Sequence, residues 1–254
     1  MGEPVAGGGN GPAEWTAEAL LEAMRTPDRD PVPLLCAALR EGPAPVREEA
    51  ARYLQRVRSP HAVTALADAV TADLEEAVRW EAAEALGVIG DPRAVPALVT
   101  ATGDENELVR LCAAEALGGV GRAEAEAVAA LLHLLEDASD LVRIYAVEAL
   151  GYLGDPGVAA TLRARLPREW PAVRVWYHYA LWRLGEAFAF AEVREVLRRG
   201  DGYRARLQAA TVLRLAATDE TADAFIHALR AAAEQERHPL VLDHLRKLLS
   251  ELEE

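Results

Sequence analysis

Aromatic residues occupy only 6% of the 254 positions in this chain, and cysteine occurs twice, at Cys36 and Cys112. Two cysteines so far apart give no disulfide framework, so the core has to come from aliphatic packing and a reducing setting is expected. No run of about 18 apolar residues, the length that spans a bilayer, is present. Residues 1–13 are glycine-rich, contain Glu3 and have no apolar core, unlike a signal peptide. They are expected to be disordered, with 14–254 forming a single domain in the cytoplasm. Cations are also short, 27 Lys and Arg against 41 Asp and Glu, for a net charge of −14. Binding to nucleic acid or to an anionic membrane needs a basic face, so neither partner is expected. There is no glycine-rich phosphate loop and no G-x-S-x-G turn. Among His61, His133, His227, His238 and His244, the six-residue separation of the last two is the nearest approach to metal-ligand spacing. No metal or cofactor is expected.

What the chain does have is a repeated phrase. Residues 78–91 read VRWEAAEALGVIGD, 109–122 read VRLCAAEALGGVGR and 142–155 read VRIYAVEALGYLGD. The opening Val-Arg pairs start at Val46, Val78, Val109, Val142 and Val173, at spacings of 32, 31, 33 and 31, and a degraded copy starts at Ala205. A period of this size marks a solenoid, whose units pack only on their neighbours. From Asp91 to Gly121 the pattern reads as one unit. Asp91 is an N-cap and Pro92 takes the first helical position, where its missing N–H costs nothing. Ala94, Val95, Leu98 and Val99 form one apolar stripe, Gly103 and Asp104 break it, and Val109, Ala113, Ala116, Leu117 and Val120 form a second. Gly121 serves as the C-cap.

Each unit is therefore an antiparallel helix pair. Second helices are expected near 44–57, 74–89, 106–120, 139–153, 170–184 and 202–216. First helices are expected near 31–40, 60–71, 92–102, 123–136, 156–165, 187–199 and 219–235, with capping helices near 15–25 and 238–252. Leu86, Leu117, Leu150, Leu181 and Leu213 share one place in five units and are expected to form the core ladder.

The phrase VR-x-x-AA-x-AL-G-x-x-G-D-P-x-A-V-P-x-L resembles the HEAT-like repeat of the phycobilisome-lyase type, over about residues 31–235. The tetratricopeptide and ankyrin signatures are absent. The resemblance implies an all-α, right-handed α-α superhelix of about six to seven helix pairs, an armadillo-like solenoid with second helices lining the concave side. Bilin lyases of this family join a tetrapyrrole to a protein cysteine, but no lyase motif can be assigned here. Deoxyhypusine hydroxylase, a di-iron enzyme acting on a modified lysine, carries His-Glu pairs just after the repeat Arg. Those places here read Glu48-Glu49, Trp80-Glu81, Leu111-Cys112, Ile144-Tyr145 and Val175-Trp176, so only Glu81 keeps half of the pattern that iron needs. DNA glycosylases of the fold use a basic groove, opposite in charge to this chain.

Three sets of residues are candidates for function. The first is an arginine column, Arg47, Arg79, Arg110, Arg143, Arg174 and Arg206, with Asp73, Asp104 and Asp137 five residues before the repeat Val. It reads as a structural ladder to carbonyls or carboxylates of a neighbouring turn, which suits the guanidinium fork. The alternative, a polyanion-binding stripe, runs against the net charge. The second set is a face of the second helices at places 3, 6 and 10 after the repeat Val. Place 6 carries Glu84, Glu115 and Glu148, which would attract a cationic partner or simply face solvent. Towards the fourth and fifth units the face becomes aromatic, with Tyr145, Tyr152, Trp176 and Tyr179 beside Glu148 and Arg183. These residues read as a binding patch or as rings filling gaps between helices.

The third set is the fifth unit, where Tyr177 and His178 replace alanine and Trp182 replaces the glycine found at 87, 118 and 151, with Trp170, Phe188 and Phe190 close by. It is either a bend or a pocket. His178 reads as a satisfied buried histidine rather than a general base, since no carboxylate or nucleophile pairs with it in sequence. The expected function is a non-catalytic scaffold binding a protein or peptide with basic character. The alternative is a bilin-lyase-like or other small-molecule enzyme using the pocket at His178 and Trp182.

Overall fold

The computed structural model describes residues 15–26, 30–122, 124–200, 202–218 and 222–253. Residues 1–13, expected to be disordered, and 219–221 of the expected helix 219–235 lie outside that set. Every regular element among the described residues is helical. In order they are α1 (Ala17–Arg25), α2 (Val32–Glu41), α3 (Ala44–Val57), α4 (Val63–Ala72), α5 (Glu76–Ile89), α6 (Val95–Ala101), α7 (Glu107–Val120), α8 (Ala125–Leu134), α9 (Asp140–Leu153), α10 (Ala159–Arg165), α11 (Pro171–Arg183), α12 (Ala187–Arg199), α13 (Tyr203–Leu215), α14 (Ala222–Gln235) and α15 (Pro239–Glu253). None of them is long and apolar enough to cross a membrane.

The chain divides into two compact units, one ending at Ala130 and one starting at Leu131. In the first, α3, α5 and α7 pack in series as one layer, and α2, α4 and α6 as another, with α2 on α3, α4 on α5 and α6 on α7. The second unit repeats the plan, with α9, α11, α13 and α15 in one layer and α10, α12 and α14 paired onto α11, α13 and α15 respectively, α12 also lying on α11. Within each unit the helix pairs stack in series, each on its neighbours, as in a helix-pair solenoid.

The sequence explains the start of several helices. Asn106 Oδ1 accepts from the N–H groups of Leu108 and Val109 at 2.8 and 3.4 Å, and Ser139 Oγ accepts from those of Leu141 and Val142 at 3.2 and 3.4 Å. The Ser59-Pro60, Asp91-Pro92 and Asp155-Pro156 pairs, expected to open first α-helices directly, open three-residue 3-10 turns instead: Pro60–Ala62, Pro92–Ala94 and Pro156–Val158. In each, the cap side chain accepts from the N–H two residues on. Asp91 Oδ1 accepts from Arg93 N at 2.9 Å and Asp155 Oδ1 from Gly157 N at 2.8 Å.

The core ladder is sealed, with Leu86, Leu117, Leu150 and Leu213 at 0% exposure and Leu181 at 1%. Small residues bring adjacent second helices together. A Cβ placed on Gly87 of α5 would sit 2.9 Å from Ala116 Cβ of α7, and one on Gly151 of α9 would sit 2.9 Å from Ala180 Cα of α11. Gly119, also in α7, faces open space, with nothing within 4 Å of such a Cβ.

These glycines predict opposite outcomes for one substitution. Gly119→Ala should raise stability by up to about 1 kcal/mol through helix propensity alone. Gly87→Ala has the same propensity gain but must push α7 away, and should lower stability. Leu86→Ala should cost about 2–5 kcal/mol. Urea midpoints of the three variants check this, and equal stabilisation at both glycines would remove the close approach from the account.

Candidate functional site

The arginine column lies between units. Arg47 donates to both oxygens of Asp73 at 2.7 Å and through Nη1 to the Gly42 carbonyl at 3.0 Å. Arg79 repeats the arrangement one unit on, with Asp104 at 2.7 and 3.0 Å and the Asp73 carbonyl at 3.0 Å. Each Arg thus ties the turn before its own helix to the turn before the next second helix. The same aspartates also order those turns, Asp73 Oδ1 accepting from Glu75 N at 3.0 Å and Asp104 Oδ1 from Asn106 N at 2.8 Å. Arg110 reaches the Asp104 carbonyl at 2.9 Å. In the second unit Arg143 donates to Glu169 at 3.2 Å and to the Asp137 carbonyl at 2.9 Å, and Arg174 to the carbonyls of Glu169 and Pro167. Arg206 grips both oxygens of Glu236 at 2.7 and 3.1 Å. Sequence reading missed Glu169 and Glu236, because neither stands five residues before a repeat Val; the signal was the arginine left needing a mate.

The second-helix face sorts by place. At place 3, Glu81, Cys112 and Trp176 are buried. At place 10, Arg56, Val88, Gly119, Tyr152, Arg183 and Leu215 are all exposed. Place 10 is therefore the column open to a partner, while place 3 faces the neighbouring helix of the layer.

The aromatic cluster expected as an exposed patch is corrected by this sorting. Trp176 and Tyr179 are buried, at 7% and 1% exposure. Trp176 donates through Nε1 to Gln208 Oε1 across to α13 at 2.8 Å and meets Tyr179 edge-on at 6.1 Å. Tyr179 stacks on Trp182, and Trp182 meets Phe190 and Phe190 meets Phe225 at tilted angles with centroids 5.1 Å apart, so the rings form a packed file between helices. Tyr145 and Glu148 are half-buried. Tyr152 and Arg183 remain outside, the guanidinium lying 4.0 Å over the Tyr152 ring, with Arg183 Nε donating to the Gly151 carbonyl at 3.3 Å. Burial first, then a hydrogen bond with Tyr179, pushes the Tyr152 hydroxyl up to about 12.

In the fifth unit, Tyr177 is fully buried and donates to Glu169 Oε1 at 3.2 Å; burial, then the Glu169 charge, pushes its hydroxyl up to about 12. His178 is half-buried, its Nδ1 enclosed without a hydrogen-bond partner, and burial lowers its pKa and keeps the ring neutral. Trp182 is half-buried and Trp170 and Phe188 are exposed. His238 stacks on Tyr203 at 4.2 Å and His244 Nε2 pairs with Thr211 at 2.9 Å, so the two histidines have different surroundings. Among the described residues no group of three His, Cys, Asp or Glu side chains is placed to hold a metal ion.

The first unit carries a groove of about 420 Å³ on its second-helix layer. Gly87, Val88, Ala116 and Gly119 give it a low floor, and Gln55, Glu84, Cys112 and Glu115 its polar rim. Gln55 donates to Glu84 at 3.4 Å, and Cys112 Sγ lies 3.8 Å from the other Glu84 oxygen. Burial first, then the charges of Glu84 and Glu115, pushes the Cys112 thiol up to about 12, so it stays protonated and unreactive. Glu115 is raised by desolvation of its carboxyl and then by the Glu84 charge. Buried Glu81, raised chiefly by desolvation, accepts from Arg52 at 2.7 Å, and Arg52 also holds Glu48 at 2.6 Å and Glu49 at 2.8 Å. Sequence reading missed Arg52, which stands at place 6 and is announced by its three- and four-residue spacing from Glu49 and Glu48. Two carboxylates set close over an apolar floor can accept a cationic side chain and cover its aliphatic stem.

A family model of HEAT repeats matches residues 12–87, 70–143, 102–182 and 128–214. A chain of the complex of CpcE and CpcF of phycocyanin lyase from Nostoc sp. PCC7120 is 23% identical, with a TM-score of 0.62 over 90% of this chain and 96% of that one. A designed armadillo repeat protein is 19% identical over 87% of this chain and 99% of that one, with a TM-score of 0.42. Human deoxyhypusine hydroxylase in complex with glycerol is 22% identical over 93% and 96%, with a TM-score of 0.35. The likeness to the chain of the CpcE and CpcF complex shows a shared fold. No curated protein matches the chain.

The Arg206–Glu236 pair gives a pH prediction. Bonding to Arg206 is the largest cause that lowers Glu236, from 4.5 to about 2. A depressed carboxylate adds stability above its unfolded pKa and loses it as the pH falls through its folded pKa. The pair's contribution should be complete at pH 6 and decline between about 4.5 and 2. Glu236→Gln should be less stable than wild type at neutral pH and converge on it in acid. Urea midpoints across that window test this, and a constant gap between the two proteins would mean that Glu236 adds nothing through its charge.

Proposed function

We propose that this chain, which belongs to the HEAT-repeat family, is a non-catalytic scaffold that docks a protein or peptide of basic character on the exposed face of its second helices. The observation that carries this reading is the first-unit groove, where Glu84 and Glu115 overhang the low floor of Gly87, Val88 and Gly119. Val88 adds an exposed apolar contact at this groove, and in the second unit, taken by itself, Tyr152 with Arg183 over its ring and Leu215 are exposed at the same place of their helices. Exposed apolar and aromatic groups beside an arginine are the usual anchors of an interface. The structurally similar chain was solved as part of a two-protein complex, which supports a protein partner here. The buried, protonated Cys112 and the neutral His178, which has no carboxylate bonded to it, fit binding better than catalysis.

The test is a pull-down from the native host with three baits: wild type, Glu84→Gln with Glu115→Gln, and Gly119→Leu. The leucine fills the groove from a position with open space above it, so the fold is retained. A protein held by wild type and lost from both variants, with a lysine- or arginine-rich contact segment, is the expected result. Retention by both variants would move the site away from the groove. A small molecule bound by wild type and lost on Tyr152→Ala would instead favour a small-molecule enzyme of the lyase type.

A further inference from the structure

A second groove lies in the other helix layer, within the second unit. Ala191, Arg194, Glu195 and Arg198 share one face of α12, and His227, Ala228, Ala231, Ala232 and Gln235 share one face of α14. The alanines put no bulk across the gap, which stays open as a groove of about 350 Å³ floored by buried Leu197. A depression of about 300 Å³ continues from it, sharing Leu197, Arg198, Ala232 and Gln235 and adding Arg199, Arg206 and Arg237.

The charge of this groove is opposite to that of the chain. Its lining has five arginines against two glutamates, in a protein of net charge −14. Glu195 is shared between Arg198 at 2.7 Å and Arg199 at 3.7 Å, and Glu236 is taken by Arg206. Arg194 and Arg237 are exposed and make no ion pair with any described side chain. These two guanidinium groups, in a lining with a surplus of arginine, suit carboxylates from outside.

We propose that this groove seats an amphipathic helix of a partner protein, with small apolar residues along one face and Asp or Glu on both flanks. The walls are two helices and the floor is alanine and leucine, so a third helix backbone can come close, as in other helix-in-groove complexes. Guanidinium groups at either end then pair with the acidic flanks. The site is independent of the second-helix face and does not rest on the function proposed for it.

The experiment uses the full chain and a fluorescent helical peptide of about 18 residues, long enough for five turns, with Ala and Leu on one face and Glu on the other. Three further probes are a scrambled peptide of the same composition, the same helix with Lys for Glu, and phosphatidylserine–phosphatidylcholine vesicles. Saturable anisotropy binding of the acidic helix alone is expected. It should weaken about tenfold, a loss of about 1.4 kcal/mol, in Arg194→Ala with Arg198→Ala, and weaken with added salt. Ala231→Trp, which fills the groove without touching a charge, should also weaken it, with circular dichroism confirming the fold. Glu84→Gln should leave it unchanged, which separates this site from the acidic groove. Equal binding of the scrambled peptide, unchanged affinity in the double variant, or vesicle binding without peptide binding would each overturn the proposal.

Discussion

Adjacent second helices lie so close that one methyl group has no room between them, and much of the rest follows from that distance. Gly87 against Ala116, and Gly151 against Ala180, set the spacing of the layer. At that spacing an arginine on one second helix reaches the turn that begins the next. The fork of Arg47 or Arg79 can then close on a carboxylate and a carbonyl at once. It also covers much of place 3, where Cys112 is small, Glu81 is paired with Arg52, and Trp176 meets Tyr179 edge-on and bonds to Gln208. What remains for a partner is the column beyond, at place 10, and the hollows left where that column is glycine.

The helix pairs were legible because their punctuation is chemical. Caps, prolines and glycines recur at the repeat period, and each has one geometric use. The 3-10 entry turns were not legible, because Asp-Pro is compatible with either a tight turn or a helical cap. The exposure of the aromatic face was misread for a different reason. Helical periodicity tells which side chains share a face, but a second helix in a layer has two flanks covered by its neighbours. Trp176 and Tyr179 fall on covered flanks, whereas Tyr152 and Arg183, one turn or more further along, do not.

Both grooves have small residues in their lining, and the charge on their rims separates them. Glu84 and Glu115 stand over one in the second-helix layer, and arginines over the other in the first-helix layer. Glycines and alanines gave no sequence signal for a cavity, because the same residues elsewhere in the chain mark close contact. Gly87 and Gly119 are in the same phrase of successive repeats, yet one meets a neighbouring helix and the other meets solvent. Only the packing distinguishes them.

The arginine fork has a consequence for how such a chain can change length. The guanidinium comes from one repeat and its carboxylate from the next, as with Arg47 and Asp73 or Arg79 and Asp104. A repeat joined in this way is a plug at one end and a socket at the other. Duplicating or excising a whole period leaves each plug facing a socket, wherever the cut is made, whereas a gain or loss of part of a period orphans a charge. A gene for such a protein can grow or shrink by recombination in steps of one repeat, and its product remains a continuous stack.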